Sequence, residues 1–125
     1  MIVLVAHGLG HVMEPMAAVA PRASPFADRP WVFGGVTAAS PVGRPWSVLW
    51  LLAMIGFVAG GLGLWFHTEW WRPALIASSA VSLVAVLPWW GPMPRGSYIG
   101  AVLVGLAVLA GLLLPWGDRV LAAIG

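Results

Sequence analysis

The segment AHGLGHVMEP, residues 6 to 15, places three ionisable side chains in an otherwise apolar stretch. His7, His11 and Glu14 are spaced four and three residues apart, so a helix would present them on one face. Ionisable side chains inside a transmembrane helix are costly unless they are paired or hydrated, and they usually mark a functional site. This polar face is therefore the first candidate for a functional site.

Two histidines four residues apart can hold one transition-metal ion, and a histidine can also ligate haem. Glu14 lies about 10 Å along the helix axis from His7, too far to share an ion easily. A third ligand would come from His67 or Glu69, and the predicted metal ligands are His7, His11 and His67. The sequence HGLGH lacks the glutamate of HExxH, which argues against a zinc protease. The chain has no cysteine, which excludes thiolate metal sites and disulfides.

The composition places these residues in a membrane. Of the 125 residues, 61% are hydrophobic and only 8% are charged, whereas about a quarter of the residues in a soluble domain are charged. The length allows a single transmembrane domain, residues 1–125. The chain has six arginines and four acidic residues, and the arginines form no basic cluster in the sequence. Nucleic acid is thereby excluded as a partner.

The apolar runs predict an all-α integral membrane four-helix bundle. A hydrocarbon core of about 30 Å needs about 20 apolar residues in a helix. Four segments qualify, joined by one long surface loop (21–45) and by short connections that favour antiparallel neighbours. The predicted spans are residues 2–20, 46–66, 73–90 and 98–116.

Eight of the nine tryptophans flank these spans, as expected for an aromatic belt at the membrane interfaces. Trp31 alone falls in the long loop. The set at the predicted span ends is Trp46, Trp50, Trp65, Trp70, Trp71, Trp89, Trp90 and Trp116.

The arginines predict the orientation. Arg22, Arg29, Arg44 and Arg95 lie on the side of the long loop, and only Arg72 and Arg119 lie on the other. The positive-inside rule then puts the long loop in the cytoplasm and both termini outside. The richness in Ala, Gly, Pro and Trp fits a GC-rich bacterial genome, so we predict a multi-pass protein of the bacterial plasma membrane.

On this topology, polar side chains from three helices converge in the outer half of the bundle. His67 and Glu69 follow the second span, whereas Ser78 and Ser82 lie on the third span at depths like those of His7 and His11. The predicted ligand-binding residues are Glu14, Glu69, Ser78 and Ser82. Pro15 cannot donate a helical hydrogen bond to the carbonyl of His11, so a kink is expected just beyond the histidines.

Four functions remain open for this site. It could bind a small ligand or lipid, hold a transition metal or haem for redox chemistry, or line a proton or solute path in an oligomer. It could also be a satisfied hydrogen-bond network in an accessory or structural subunit. Binding or an accessory role is favoured over an enzyme, and the partners expected are the lipid bilayer and other membrane subunits or a second copy.

The segment AHGLGHVMEPM followed by three further spans resembles a group of small bacterial four-helix membrane proteins whose first helix carries H-G-x-x-H. The resemblance rests on His7, Gly8 and His11 and on the four-span layout. It implies a small membrane bundle, with a generic permease label and no established activity. This chain continues with Val12–Pro15 where such proteins often have a Gly-aromatic stretch.

Overall fold

The computed structural model describes residues 1–20, 29–32, 34–91, 93–116 and 119, and within these ranges the only regular elements are helices. Four stretches are long and apolar enough to cross a membrane: Ile2–Val19, Gly43–Trp65, Trp71–Trp89 and Arg95–Leu113. The predicted all-α four-helix membrane fold is therefore confirmed. The α-helices are α1 (Ile2–Gly10), α2 (Met13–Val19), α3 (Gly43–Trp65), α4 (Trp71–Val86) and α5 (Arg95–Leu113), and a 3₁₀ turn (Leu87–Trp89) extends α4.

The first span is broken into α1 and α2 at His11 and Val12. His11 N–H donates to the Gly8 carbonyl at 3.0 Å and Val12 N–H to the Leu9 carbonyl at 3.1 Å, so the turn is tightened to i−3 bonds. Pro15 lacks the N–H that would bond to the His11 carbonyl, which accounts for the break at this point. The predicted kink is present.

Helices α3 and α4 form the central pair of the bundle, with α1 and α2 against α3 and with α5 against α4. Two glycines allow this close approach. A Cβ at Gly56 would overlap the Ser78 hydroxyl, and one at Gly60 would lie 2.6 Å from Leu75 Cδ2. Gly56 and Gly60 form a GxxxG pair, and both lie in the α3–α4 contact.

The bundle has two ends: a loop end, where α3 begins, and a terminal end, where α1 begins. Trp31 packs edge-on against Trp46 at the loop end, with ring centroids 5.3 Å apart, and it also contacts the Trp89 ring at 5.9 Å. Val32 N–H donates to the Pro88 carbonyl at 2.8 Å. The described part of the long loop is thus anchored to the bundle at Trp31 and Val32, while more than half of its described residues are exposed.

The tryptophans divide into two groups. Trp65, Trp70, Trp90 and Trp116 are exposed, as expected for an interfacial belt. Trp50 and Trp89, however, are only 1% and 0% exposed and belong to the core. These two side chains contact neighbouring helices instead of lipid headgroups, and Trp89 is the last residue of its span.

The ends of the four spans differ from the predicted ends by up to three residues. α5 begins at Arg95, directly after Pro94, and ends at Leu113. Pro115 forces the residue before it out of the helical region, and Leu114 accordingly has φ −84° and ψ 148°. α3 begins earlier than predicted, where the Ser40 hydroxyl accepts a hydrogen bond from the Gly43 N–H at 3.0 Å.

Candidate functional site

His11 is held by two hydrogen bonds at the centre of the bundle. Its Nε2 lies 2.8 Å from Ser82 Oγ on α4, and its Nδ1 lies 3.1 Å from the His7 carbonyl oxygen. A carbonyl can only accept, so Nδ1 carries the proton and Nε2 accepts from the Ser82 hydroxyl. Both nitrogens of the neutral ring are therefore engaged in hydrogen bonds. Through them, His11 links the first span to α4 and holds the His7 carbonyl in place.

His7 lies one turn before His11 and has an unused nitrogen. Its ring packs edge-on against His11, with centroids 4.8 Å apart, and against Phe57 at 4.6 Å. His7 Nε2 is buried, and no hydrogen-bond partner is found for it in the described structure. Leaving such an atom unsatisfied costs about 1–3 kcal/mol. His7 is thus oriented by two aromatic contacts and has capacity for one more hydrogen bond.

Glu14 is fully buried on α2, with 0% of its surface exposed. Among the described residues, neither of its carboxyl oxygens has a hydrogen-bond partner. The Ser47 hydroxyl lies close to it but donates to the Gly43 carbonyl at 3.4 Å instead. The one ionisable residue of α3, Arg44, is exposed near the start of that helix. Glu14 belongs to the same polar face as the histidines, but no hydrogen bond joins it to them.

A cleft of about 430 Å³ lies between α1 and α5. Drug-sized ligands bind in cavities of about 300–1,000 Å³. Trp50 of α3 also lines the cleft, and in the described structure its buried indole Nε1 has no hydrogen-bond partner. The walls of the cleft are therefore mostly apolar, and the unsatisfied nitrogens of His7 and Trp50 are buried behind its surface. Its lining includes His7, Gly10, His11, Trp50, Gly100 and Ala101.

His67 and Glu69 lie apart from this cleft, exposed in the connection between α3 and α4. His67 has φ 53° and follows the last turn of α3, where Thr68 N–H donates to the Gly63 carbonyl at 2.9 Å. This pattern is that of a helix-ending Schellman motif, in which a residue in the left-handed region releases the chain from the helix. The geometry gives His67 a structural role at the end of α3.

The remaining predicted residues have different surroundings. Ser78 donates to the Ala74 carbonyl of its own helix at 2.5 Å and covers Gly56, so it serves the α3–α4 contact. No three His, Asp or Glu side chains in the described ranges are grouped so that they could hold a metal ion. Metal binding by His7, His11 and His67 stays a prediction.

Trp50 is the residue of the cleft that the sequence pattern did not reveal. It lies seven residues before Phe57, on the same face of α3, and this spacing is the signal that could have placed it beside the histidines.

Comparison with protein-family models, with curated proteins and with solved structures finds no match for the chain.

Proposed function

We propose that this protein binds a small amphiphilic molecule in the cleft between α1 and α5, beside His7 and His11. The observation that carries this proposal is a cleft of about 430 Å³ whose lining combines small and apolar residues with the His7 and His11 rings. Apolar walls with a few oriented polar groups are typical of ligand pockets.

The shape of the cleft supports the same function. Small residues line both sides, and a Cβ built at Gly10 or at Gly100 would meet no described atom within 4 Å. The small side chains therefore leave room between the helices, and a ligand could enter from the surrounding lipid. The apolar part of the molecule would pack against residues such as Ala101 and Val104.

The alternatives have less support from the geometry. A purely structural network would satisfy its members, whereas His7 Nε2 and both Glu14 oxygens have no partner in the part of the chain described. A metal site would have to displace Ser82 from His11 Nε2. A proton path would need a link from the histidines to Glu14, and no hydrogen bond provides one in the described ranges.

A variant that fills the cleft without touching its polar residues tests this function. Gly100→Leu places a large side chain in the cleft, whereas Gly96→Leu, on the same helix but outside the cleft lining, is the matched control. Each protein is purified from membranes in mild detergent and analysed by native mass spectrometry. We expect one bound small molecule per chain in the wild type and in Gly96→Leu, and its loss in Gly100→Leu. An unliganded wild type, or equal retention by both variants, would contradict the proposal.

A further inference from the structure

We infer that an anionic phospholipid binds at the start of α5, with its phosphate at Arg95 and an acyl chain along the outer face of that helix. The site is separate from the cleft between α1 and α5, so the inference goes beyond the proposed function. Four features carry it: a pocket, the cation that lines it, the basic surface around it, and an apolar strip that leads away from it.

A second pocket, of about 250 Å³, lies at the loop end of the bundle, where the chain passes from α4 to α5. The Trp90 and Tyr98 rings pack edge-on in its wall, with centroids 4.8 Å apart. Because Arg95 begins the fourth span, the pocket lies at the depth of the lipid headgroups, where Trp and Tyr are enriched. It shares no residue with the cleft. Its lining consists of Trp90, Gly91, Arg95, Tyr98 and Ile99.

Arg95 gives this pocket a positive charge. The residue is exposed, and no ion pair or hydrogen bond joins its guanidinium to another residue of the described ranges. Of the described acidic residues, Glu14 is fully buried and Glu69 lies in the connection at the terminal end. A guanidinium matches a phosphate group well, because it can donate two parallel hydrogen bonds to its oxygens. Arg95 therefore has its donors available for an anionic group in the pocket.

The first turn of α5 adds to this preference for an anion. The helix has no side-chain cap and no acidic residue in its first turn, and the first N–H groups of a helix have no partner within it. These groups and the helix dipole favour negative charge at this end. The helix start thus complements the Arg95 guanidinium.

Further positive charge at the loop end favours a lipid with a net negative charge. Arg29 and Arg44 are exposed at this end as well, and arginines near a membrane surface attract anionic lipids. A zwitterionic lipid gains little from this surface, because its ammonium group offsets its phosphate. No acidic residue lines the pocket in the described structure to pair with such an ammonium group.

An apolar strip on α5 indicates a lipid instead of a free phosphate compound. Ile99 and Leu103 follow Arg95 at intervals of four residues, so the three lie on one face of the helix. Ile99 is 50% exposed and Leu103 is 59% exposed, and Leu103 lies about 12 Å along the axis from Arg95. A phosphate at Arg95 would therefore place an acyl chain against exposed apolar side chains.

The test measures which phospholipid the full-length protein retains. The protein is reconstituted in nanodiscs with equal amounts of phosphatidylglycerol and phosphatidylcholine that carry the same acyl chains, and the lipids that stay bound are identified by native mass spectrometry. The wild type is compared with Arg95→Gln and Arg44→Gln. Both variants lose one exposed positive charge at the loop end, but only Arg95 lines the pocket. Arg44→Gln is therefore the matched control.

We expect the wild type and Arg44→Gln to retain one phosphatidylglycerol per chain about tenfold more often than phosphatidylcholine, as the loss of a charge-assisted hydrogen bond would predict. Arg95→Gln should lose this preference. An excess of glycerol phosphate should not displace the lipid, because it has no acyl chain to contact Ile99 and Leu103. Gly100→Leu, which blocks the cleft, should retain phosphatidylglycerol like the wild type.

Four results would overturn the inference. Equal retention of the two lipids by the wild type would remove the preference for an anion, and an unchanged preference in Arg95→Gln would remove the role of the pocket. An equal loss in Arg44→Gln would attribute the preference to the overall charge of the loop end. Displacement by glycerol phosphate would exclude a lipid as the specific occupant. Because the two lipids are compared on the wild-type chain, a folding defect in Arg95→Gln does not prevent the test.

The test also separates this inference from the proposed function. Loss of phosphatidylglycerol in Gly100→Leu would place the lipid in the cleft and would overturn the site at Arg95 while supporting a ligand of the cleft. Retention that depends on Arg95 but not on Gly100 supports the site at α5, whether or not the cleft holds a molecule of its own.

Discussion

His11 Nε2 lies 2.8 Å from Ser82 Oγ, across 71 residues of sequence, and this bond joins the first span to the third. It fixes the tautomer of His11 and, through the bond from His11 Nδ1 to the His7 carbonyl, the position of the helical turn that carries His7. The polar face predicted from the sequence is thereby anchored beside the cleft.

Removing this bond should destabilise the bundle. In Ser82→Ala the buried His11 Nε2 loses its partner, and we expect the free energy of unfolding to fall by about 1–2 kcal/mol. SDS titration of the purified protein in mixed micelles measures this change. Ser79→Ala is the matched control, because Ser79 is equally buried on α4 but its hydroxyl has no hydrogen-bond partner in the described structure. A cost as large for Ser79→Ala as for Ser82→Ala would refute the assigned role of the bond.

The close packing of α3 on α4 should be disturbed by a single methyl group added at Gly56. A Cβ at Gly56 would overlap Ser78 Oγ and lie 3.0 Å from Ser78 Cβ, so we expect Gly56→Ala to destabilise the protein by about 1–3 kcal/mol. The Ser78→Ala background should reduce this cost, because the hydroxyl is then gone. Gly100→Ala meets no described atom and should instead stabilise α5, by up to about 1 kcal/mol. Equal effects of Gly56→Ala and Gly100→Ala in thermal unfolding would argue against this packing.

Much of the fold could be predicted from the sequence, because long apolar runs in a chain with few charges have one stable arrangement in a bilayer. The approach of Ser82 to His11 could be predicted because the two residues were expected at similar depths in the membrane. The burial of Trp50 could not, since a tryptophan near the end of a span can face lipid headgroups or a neighbouring helix. The cleft likewise depends on the separation of α1 from α5, which no local pattern encodes.

His67 was predicted as a metal ligand, and its backbone indicates a different role. A residue with φ 53° in the left-handed region costs an L-amino acid about 1–2 kcal/mol, a strain that glycine avoids. We therefore expect His67→Gly to leave stability equal or higher, and His67→Val to lower it. Thermal unfolding in detergent checks both. Loss of a bound metal in His67→Gly, measured by elemental analysis, would instead favour the metal site.

The orientation predicted from the arginines is accessible to labelling, because any engineered cysteine is unique in this chain. Glu69 and Val32 are both exposed and lie in the two connections that flank α3. We expect Glu69→Cys to react with a membrane-impermeant maleimide in intact cells, and Val32→Cys to react only after permeabilisation. The opposite pattern would invert the topology and place the termini in the cytoplasm.

The central claim is that a ligand in the cleft meets His7, and ¹⁵N NMR of the imidazoles in bilayers tests it most directly. The chain has only three histidines, so selective labelling gives an assignable spectrum. The account predicts that an amphiphile bound in the cleft shifts the His7 imidazole resonances, leaves those of His67 unchanged, and has no effect in Gly100→Leu. A His7 resonance that stays the same while the wild type is saturated with the amphiphile would contradict it.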